Sequence, residues 1–129
     1  MKLAGIDVGL KRIGVALCLD GKIVIPQQAI LRKNRNQAAQ DINIFLKEWE
    51  IDKLIVGIPL DAGNSEEMQR RIHHFVSLLK LTIPVVYQDE QSSSLEAKTL
   101  AQGIFRDKRD GKIDSLAAKI ILERYLLKK

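Results

Sequence analysis

The links between the first three apolar runs are too short to allow anything but a meander. Leu3–Val8 is an apolar run, and only Gly9, Leu10 and Lys11 separate it from a second run, Arg12–Leu19. Asp20-Gly21, a strong hairpin signal, then leads into a third, Lys22–Ile30. A parallel crossover needs a dozen or more residues, so strands joined this tightly must be antiparallel neighbours. Pro26 cannot donate to a β-ladder, which puts the third strand at an edge or a bulge.

Beyond residue 31 the apolar period changes from two to that of a helix. Ala38, Ile42, Phe45, Leu46 and Trp49 share one helical face, and Trp49 reads as a core anchor rather than a base-stacking platform. Lys53–Ile58 is a strand. Asn64, with Glu67 three residues on, can cap a helix that carries Met68, Ile72, Phe75, Val76 and Leu79 on one face. Pro84–Tyr87 is a last short strand, Ser93 with Glu96 can cap a third helix, and a fourth begins at Asp114 and runs to Tyr125 or Leu126. The order βββαβαβα, with one more helix near the end, specifies an α/β fold: a mixed five-stranded sheet, three antiparallel strands followed by βαβ units, with helices on both faces. With 129 residues, no repeat and no linker, the expectation is one domain over 1–129. Arg32–Asn36 and Phe105–Lys112 are the loose stretches.

Composition excludes several classes. Cys18 is the single cysteine and lies in an apolar run, so no intrachain disulfide forms and a core role is expected. MKLAGIDVGL is interrupted by Asp7 and is not a secretory signal, and no window reaches the length of a membrane span. A cytoplasmic protein is expected. A net charge of +5 and a pI of about 9.4 favour a polyanionic partner.

Three acids stand where local structure does not require them. Asp7 ends a strand that should be central, and a buried carboxylate costs several kcal/mol unless a cation or donors answer it; a turn aspartate before Gly9 is the plainer alternative. Asp89 and Glu90 follow the last strand, at the end where open α/β sheets place their sites, although two solvated acids ahead of a helix would look the same. Asp114 heads the stripe Ala117, Ala118, Ile121, Leu122 and Tyr125, where it can also serve as an N-cap. Hard cations such as Mg²⁺ or Mn²⁺ take carboxylate oxygens from separate elements. His73 and His74 are adjacent on a helix, face different ways and offer no rival site.

The stretches GIDVGLKRIGVA at 5–16, IVGIPLDAGNSEE at 55–67, VVYQDEQSSSLEA at 85–97 and KIDSLAAKIILERYL at 112–126 resemble, in that order, the motifs of the YqgF family, also called RuvX, the Holliday-junction-resolvase-like members of the RNase H-like superfamily. The resemblance covers nearly the whole chain. It implies an RNase H-like fold and a metal-dependent nuclease that processes the precursor of 16S ribosomal RNA, with Holliday-junction resolution as the older proposal. It gives the catalytic and metal-holding roles to Asp7, Glu90 and Asp114, and it selects Glu90 where local physics leaves Asp89 or Glu90 open. Gln91 departs from the arginine common in the family, and Ser93 and Ser94 stand where threonines are usual. Gln91 removes a charge that could have held phosphate.

The expected mechanism is two-metal phosphodiester hydrolysis on structured RNA or branched DNA. Lys11 and Arg12 would meet backbone phosphates, and Arg32–Arg35 and Arg106–Lys112 would extend the basic track. A monomer or weak homodimer is expected. One rival is a non-catalytic nucleic-acid-binding module, which Gln91 motivates. Another is a sugar-kinase-like ATPase, since GIDVG followed by IGVA resembles a phosphate loop, but 129 residues cannot build the two lobes such an enzyme needs.

Overall fold

The computed structural model describes residues 1–60, 65–90 and 112–127, the last without the side chains of 112–114. The meander consists of β1 (Leu3–Val8), β2 (Arg12–Cys18) and β3 (Ile25–Leu31). Helix α1 (Arg35–Glu48) leads to β4 (Lys53–Ile58), helix α2 (Glu66–Ser77) to β5 (Val85–Asp89), and α3 (Lys112–Leu127) is the last described element. The strand order is β3-β2-β1-β4-β5. β1 pairs antiparallel with β2 and parallel with β4, so the chain's first strand lies at the centre of the mixed sheet. Pro26, which cannot donate to the ladder, lies on β3 as an edge strand and pairs in regular register with Ala16; the shift between β2 and β3 falls further on, between Ile13 and Val15.

Side-chain alternation divides the core between the two faces of the sheet. Ala4, Ile6 and Val8 of β1, with Leu54, Val56 and Ile58 of β4, pack under α1 and α2 against Ile42, Leu46, Ile72 and Phe75. Leu3, Ala16, Cys18 and Ile55 face the other way and are covered by Ala118, Ile121 and Leu122 of α3. Cys18 is thus a buried core residue.

Several boundaries differ from the sequence reading, each for a local reason. β3 begins at Ile25, not Lys22, because the Asp20 carboxylate accepts hydrogen bonds from the N–H groups of Lys22 and Ile23 (both 2.9 Å), with Gly21 at φ 78°. That closes a side-chain turn before the strand can start. The stretch read as loose holds the start of α1: Asn34 accepts from the Gln37 N–H at 2.8 Å, and the Gln37 side chain returns to the Asn34 N–H. Trp49 is not a core anchor. It is the C-cap of α1, is 38% exposed, and lies tilted against Phe45 where the helix turns off the sheet. Helix α2 is preceded by Ser65, whose side chain makes no capping bond, and Glu67 pairs with Arg71. Asn64, the Ser93–Glu96 helix, Gln91 and the segment Phe105–Gly111 lie outside the described residues. No described helix is long and apolar enough to cross a membrane.

Candidate active site

Leu3, Gly5 and Asp7 share the face of β1 that α3 covers, and the parallel strands β1, β4 and β5 all end at Asp7's end of the sheet. Two glycines set how closely α3 can approach. A Cβ on Gly5 would stand 3.1 Å from Leu122 Cβ and 3.2 Å from the Ala118 carbonyl oxygen, and one on Gly57 would stand 2.3 Å from Ile121 Cδ1. The small residues Ala117 and Ala118 complete the close approach.

Ser115, fully buried, fixes the first turn of α3. Its Oγ accepts a hydrogen bond from the Val15 N–H at 3.3 Å, at the point where β2 loses register with β3. The strand irregularity turns this backbone donor toward the helix, and a serine answers it. Gly14, the neighbour of Val15, is the β1–β2 partner of Asp7. The backbone therefore sets Asp114, the residue before Ser115, in the helical turn above that end of β1. The Asp114 side chain is outside the described residues. Sequence reading missed Ser115; its signal was a hydroxyl in an otherwise apolar packing stripe, one residue past an acid.

Glu90 continues the β5 pairing, its N–H donating to the Ile58 carbonyl at 3.0 Å. Val86 belongs to the α3-side cluster and Tyr87 to the opposite one, so alternation carries Glu90 to the α3 face and Asp89 to the α1/α2 face. Glu90 Oε2 is buried and lies 2.9 Å from where a Cβ on Gly57 would be. The Glu90 carboxyl lies within interaction range of the Asp7 carboxyl. Burial pushes the Glu90 carboxyl above the usual carboxylate range; its interaction with Asp7 opposes that rise, and the nearby Asp89 charge adds to it. Two oxygen-bearing acids from separate strands, one desolvated and held near another carboxylate, form a donor set that suits a hard divalent cation. Among the described residues no group of three His, Cys, Asp or Glu side chains gathers, and Asp7 with Glu90 is the pair that meets.

The two cations named from sequence lie on the adjoining β1–β2 turn. Lys11 is exposed, and Arg12 is half-buried as the first residue of β2. The turn is closed by Gly9, whose N–H donates to the Arg12 carbonyl at 3.0 Å, and a Cβ there would lie 2.5 Å from that oxygen. Arg32 fastens the turn from outside: its N–H donates to the Lys11 carbonyl and its Nη1 to the Gly9 carbonyl, both at 2.8 Å. The sequence marks Arg32 only as part of a basic segment. His73 lies against Tyr87, and His74 Nδ1 is 3.3 Å from Arg35 Nη1, both away from the acid pair.

A mixed sheet with its strand order, helices on both faces and acids at the carboxyl ends of β1 and β5 defines an RNase H-like fold. Solved structures agree: a fowlpox virus resolvase bound to Holliday-junction DNA superposes with a TM-score of 0.61 at 10% identity, covering 99% of this chain and 98% of that one. Thermus thermophilus RuvC, bound to a Holliday junction, gives 0.57 at 14%, covering 99% and 96%. The model of the family described as "RuvX: Holliday junction resolvase" matches residues 1–128. A Sulfurovum protein with the provisional name pre-16S rRNA nuclease is 74% identical over 98% of both chains, and a Sulfurimonas denitrificans protein of the same name is 48% identical over 100% of this chain and 99% of its own. The chain belongs to the RuvX family.

Proposed function

We propose that this chain is a divalent-metal-dependent nuclease that hydrolyses phosphodiester bonds in the precursor of 16S ribosomal RNA. The observation that carries the reading is the meeting of Asp7 and Glu90, from different strands, at the carboxyl rim of a chain 74% identical to a relative named for that activity. Asp7, Glu90 and Asp114 would hold Mg²⁺ or Mn²⁺. When bound, such ions supply Lewis-acid stabilisation of the attacking and leaving oxygens in an in-line displacement. Asp7 sits rigidly because its strand is paired on both sides and its flanking residues, Ile6 and Val8, are packed in the core. Glu90 is braced through its backbone bond to Ile58 and by the space that Gly57 leaves open. Lys11 and Arg12, on the turn that follows Asp7, would bind backbone phosphates and draw the polyanion to the rim. The work is done in the cytoplasm, by a single domain acting as a monomer or weak dimer.

Resolution of Holliday junctions is the second reading, favoured by the family's description. One experiment addresses both: labelled 16S precursor and a four-way junction are incubated with Mn²⁺ and either wild type or Asp7→Asn. Cleavage of the precursor by wild type and none by the variant is expected. Cleavage confined to the junction selects the second reading, and equal cleavage by the variant refutes the assigned site.

A further inference from the structure

Three arginines gather on the opposite face of the sheet from the acid pair, around the buried ring of Phe75. The Arg32 guanidinium lies over that ring, 5.5 Å from its centroid, while Nη1 holds the Gly9 carbonyl. Arg71 is one helical turn before Phe75 on α2, so the two share a face. Arg35 opens α1 and is tied across to α2 through its 3.3 Å contact with His74 Nδ1. Partial burial disfavours the charged form of Arg32, and the positive charges of Arg35 and Arg71 add to that.

Like charges held together this way cost energy unless an anion answers them. Among the described residues no carboxylate pairs with Arg32 or Arg35. Among the described residues Arg71 pairs with Glu67, at 2.7 Å, an exposed i,i+4 contact that a phosphate can displace. The first turn of α1 carries no acidic residue, so its positive end adds to the same field. Gly9 links the two places: it follows Asp7 by two residues and is the group that Arg32 grips.

We propose that Arg32, Arg35 and Arg71 form a phosphate-binding cradle for the nucleic-acid backbone, with the strand crossing the β1–β2 turn from the acid pair on one face to the arginines on the other. The cradle rests on the nuclease reading above and adds to it where the substrate runs beyond the cleaved bond. A guanidinium suits this role because its fork matches phosphate oxygens.

The test leaves Arg32 in place, since it also fastens the turn. Binding of a short fluorescein-labelled single-stranded RNA is followed by anisotropy in EDTA over a salt series, for wild type, Arg35→Ala, Arg71→Ala and the double variant, with Lys47→Ala/Lys80→Ala at the opposite end of the strands as control. Each lost phosphate contact removes about 0.7 from the slope of log K against log salt, which is about fivefold in affinity at 0.1 M salt. The double variant should therefore bind about 25-fold more weakly with a slope flatter by about 1.4, while the control matches wild type. Circular dichroism checks that the variants are folded. Undiminished binding and slope in the folded double variant overturn the cradle alone. A wild type that shows no salt-dependent RNA binding overturns the nuclease reading with it.

Discussion

Gly57→Ala should destabilise the protein, although glycine to alanine in a strand would ordinarily help. Gly57 has no positive φ, so alanine's smaller unfolded-state entropy would by itself add about 0.4–1 kcal/mol. The space is taken, however: the new methyl would lie 2.3 Å from Ile121 Cδ1, 3.2 Å from Ile121 Cγ1 and 2.9 Å from Glu90 Oε2. Ile121 is fully buried, and its neighbour Ala118 packs on the strands, so the side chain has little room to retreat. Overpacking of this kind costs about 2 kcal/mol at mid-range, leaving a net loss of about 1.3 kcal/mol once the entropic gain of about 0.7 is subtracted. For 129 residues an unfolding entropy of about 0.27 kcal/mol/K applies, so Tm should fall by about 5 °C. Differential scanning calorimetry measures it, with a double-mutant cycle as the control on cause. Ile121→Val removes the atom at 2.3 Å and by itself costs about 0.5–1.5 kcal/mol. In the Gly57→Ala background that cost should be largely absent, a coupling on the order of 1 kcal/mol. Cleavage should stay impaired in the double variant, because the new methyl still crowds the Glu90 oxygen. A Gly57→Ala protein as stable as wild type, or a strictly additive double variant, would show that α3 does not sit on β4 as described.

Glu90→Gln should raise stability in EDTA at pH 7. Burial and Asp89 hold the folded-state pKa of Glu90 above its ordinary value of 4.5, so the folded state retains a proton that the unfolded chain has released; stability therefore falls as pH rises through that interval and the cost persists above it. Urea titrations should show the variant's advantage shrinking below about pH 4, and an equal advantage at both pH values contradicts the assignment. Mn²⁺ at a hundred times its Kd should stabilise wild type by about 2.7 kcal/mol, read as a Tm rise of about 10 °C that Asp7→Asn abolishes; equal shifts in the two proteins argue against metal at this pair. Ser115→Ala leaves the Val15 N–H buried without its acceptor and should cost about 1–3 kcal/mol, checked by urea unfolding, whereas Trp49→Ala, at an exposed cap, should cost under about 1 kcal/mol.

What the sequence revealed followed the strength of each local signal. The meander was legible because links as short as Gly9–Lys11 leave one pairing open, and the order of elements agreed at each described strand and helix. Trp49 misled because helical periodicity does not show where a helix leaves the sheet, and a residue at the cap still lies on the apolar stripe. The start of β3 was hidden by a side-chain turn at Asp20 that competes with the ladder. At the site, alternation alone separates Asp89 from Glu90, but only once Val86 and Tyr87 are known to point to opposite faces. The role of Ser115 depends on a register shift between two other strands, and that of Arg32 on a contact 23 residues back along the chain. Such tertiary pairings show locally only as a hydroxyl on an apolar stripe and an arginine in a basic segment.

The alternation along β1 has a consequence for how the protein folds. Ile6 and Val8 face one core while Asp7, between them, faces the acid site. Slipping β1 by one residue against β2 would drive the Asp7 carboxylate into the cluster beneath α1 and α2 and turn Ile6 and Val8 toward the polar rim. Such an exchange costs several kcal/mol for the carboxylate alone, in the strand on which both halves of the sheet assemble. The residue assigned to chemistry thus also guards against misfolding. Replacing it with an apolar side chain should make the misregistered sheet accessible, so an isosteric amide is the sounder choice for a well-folded inactive protein.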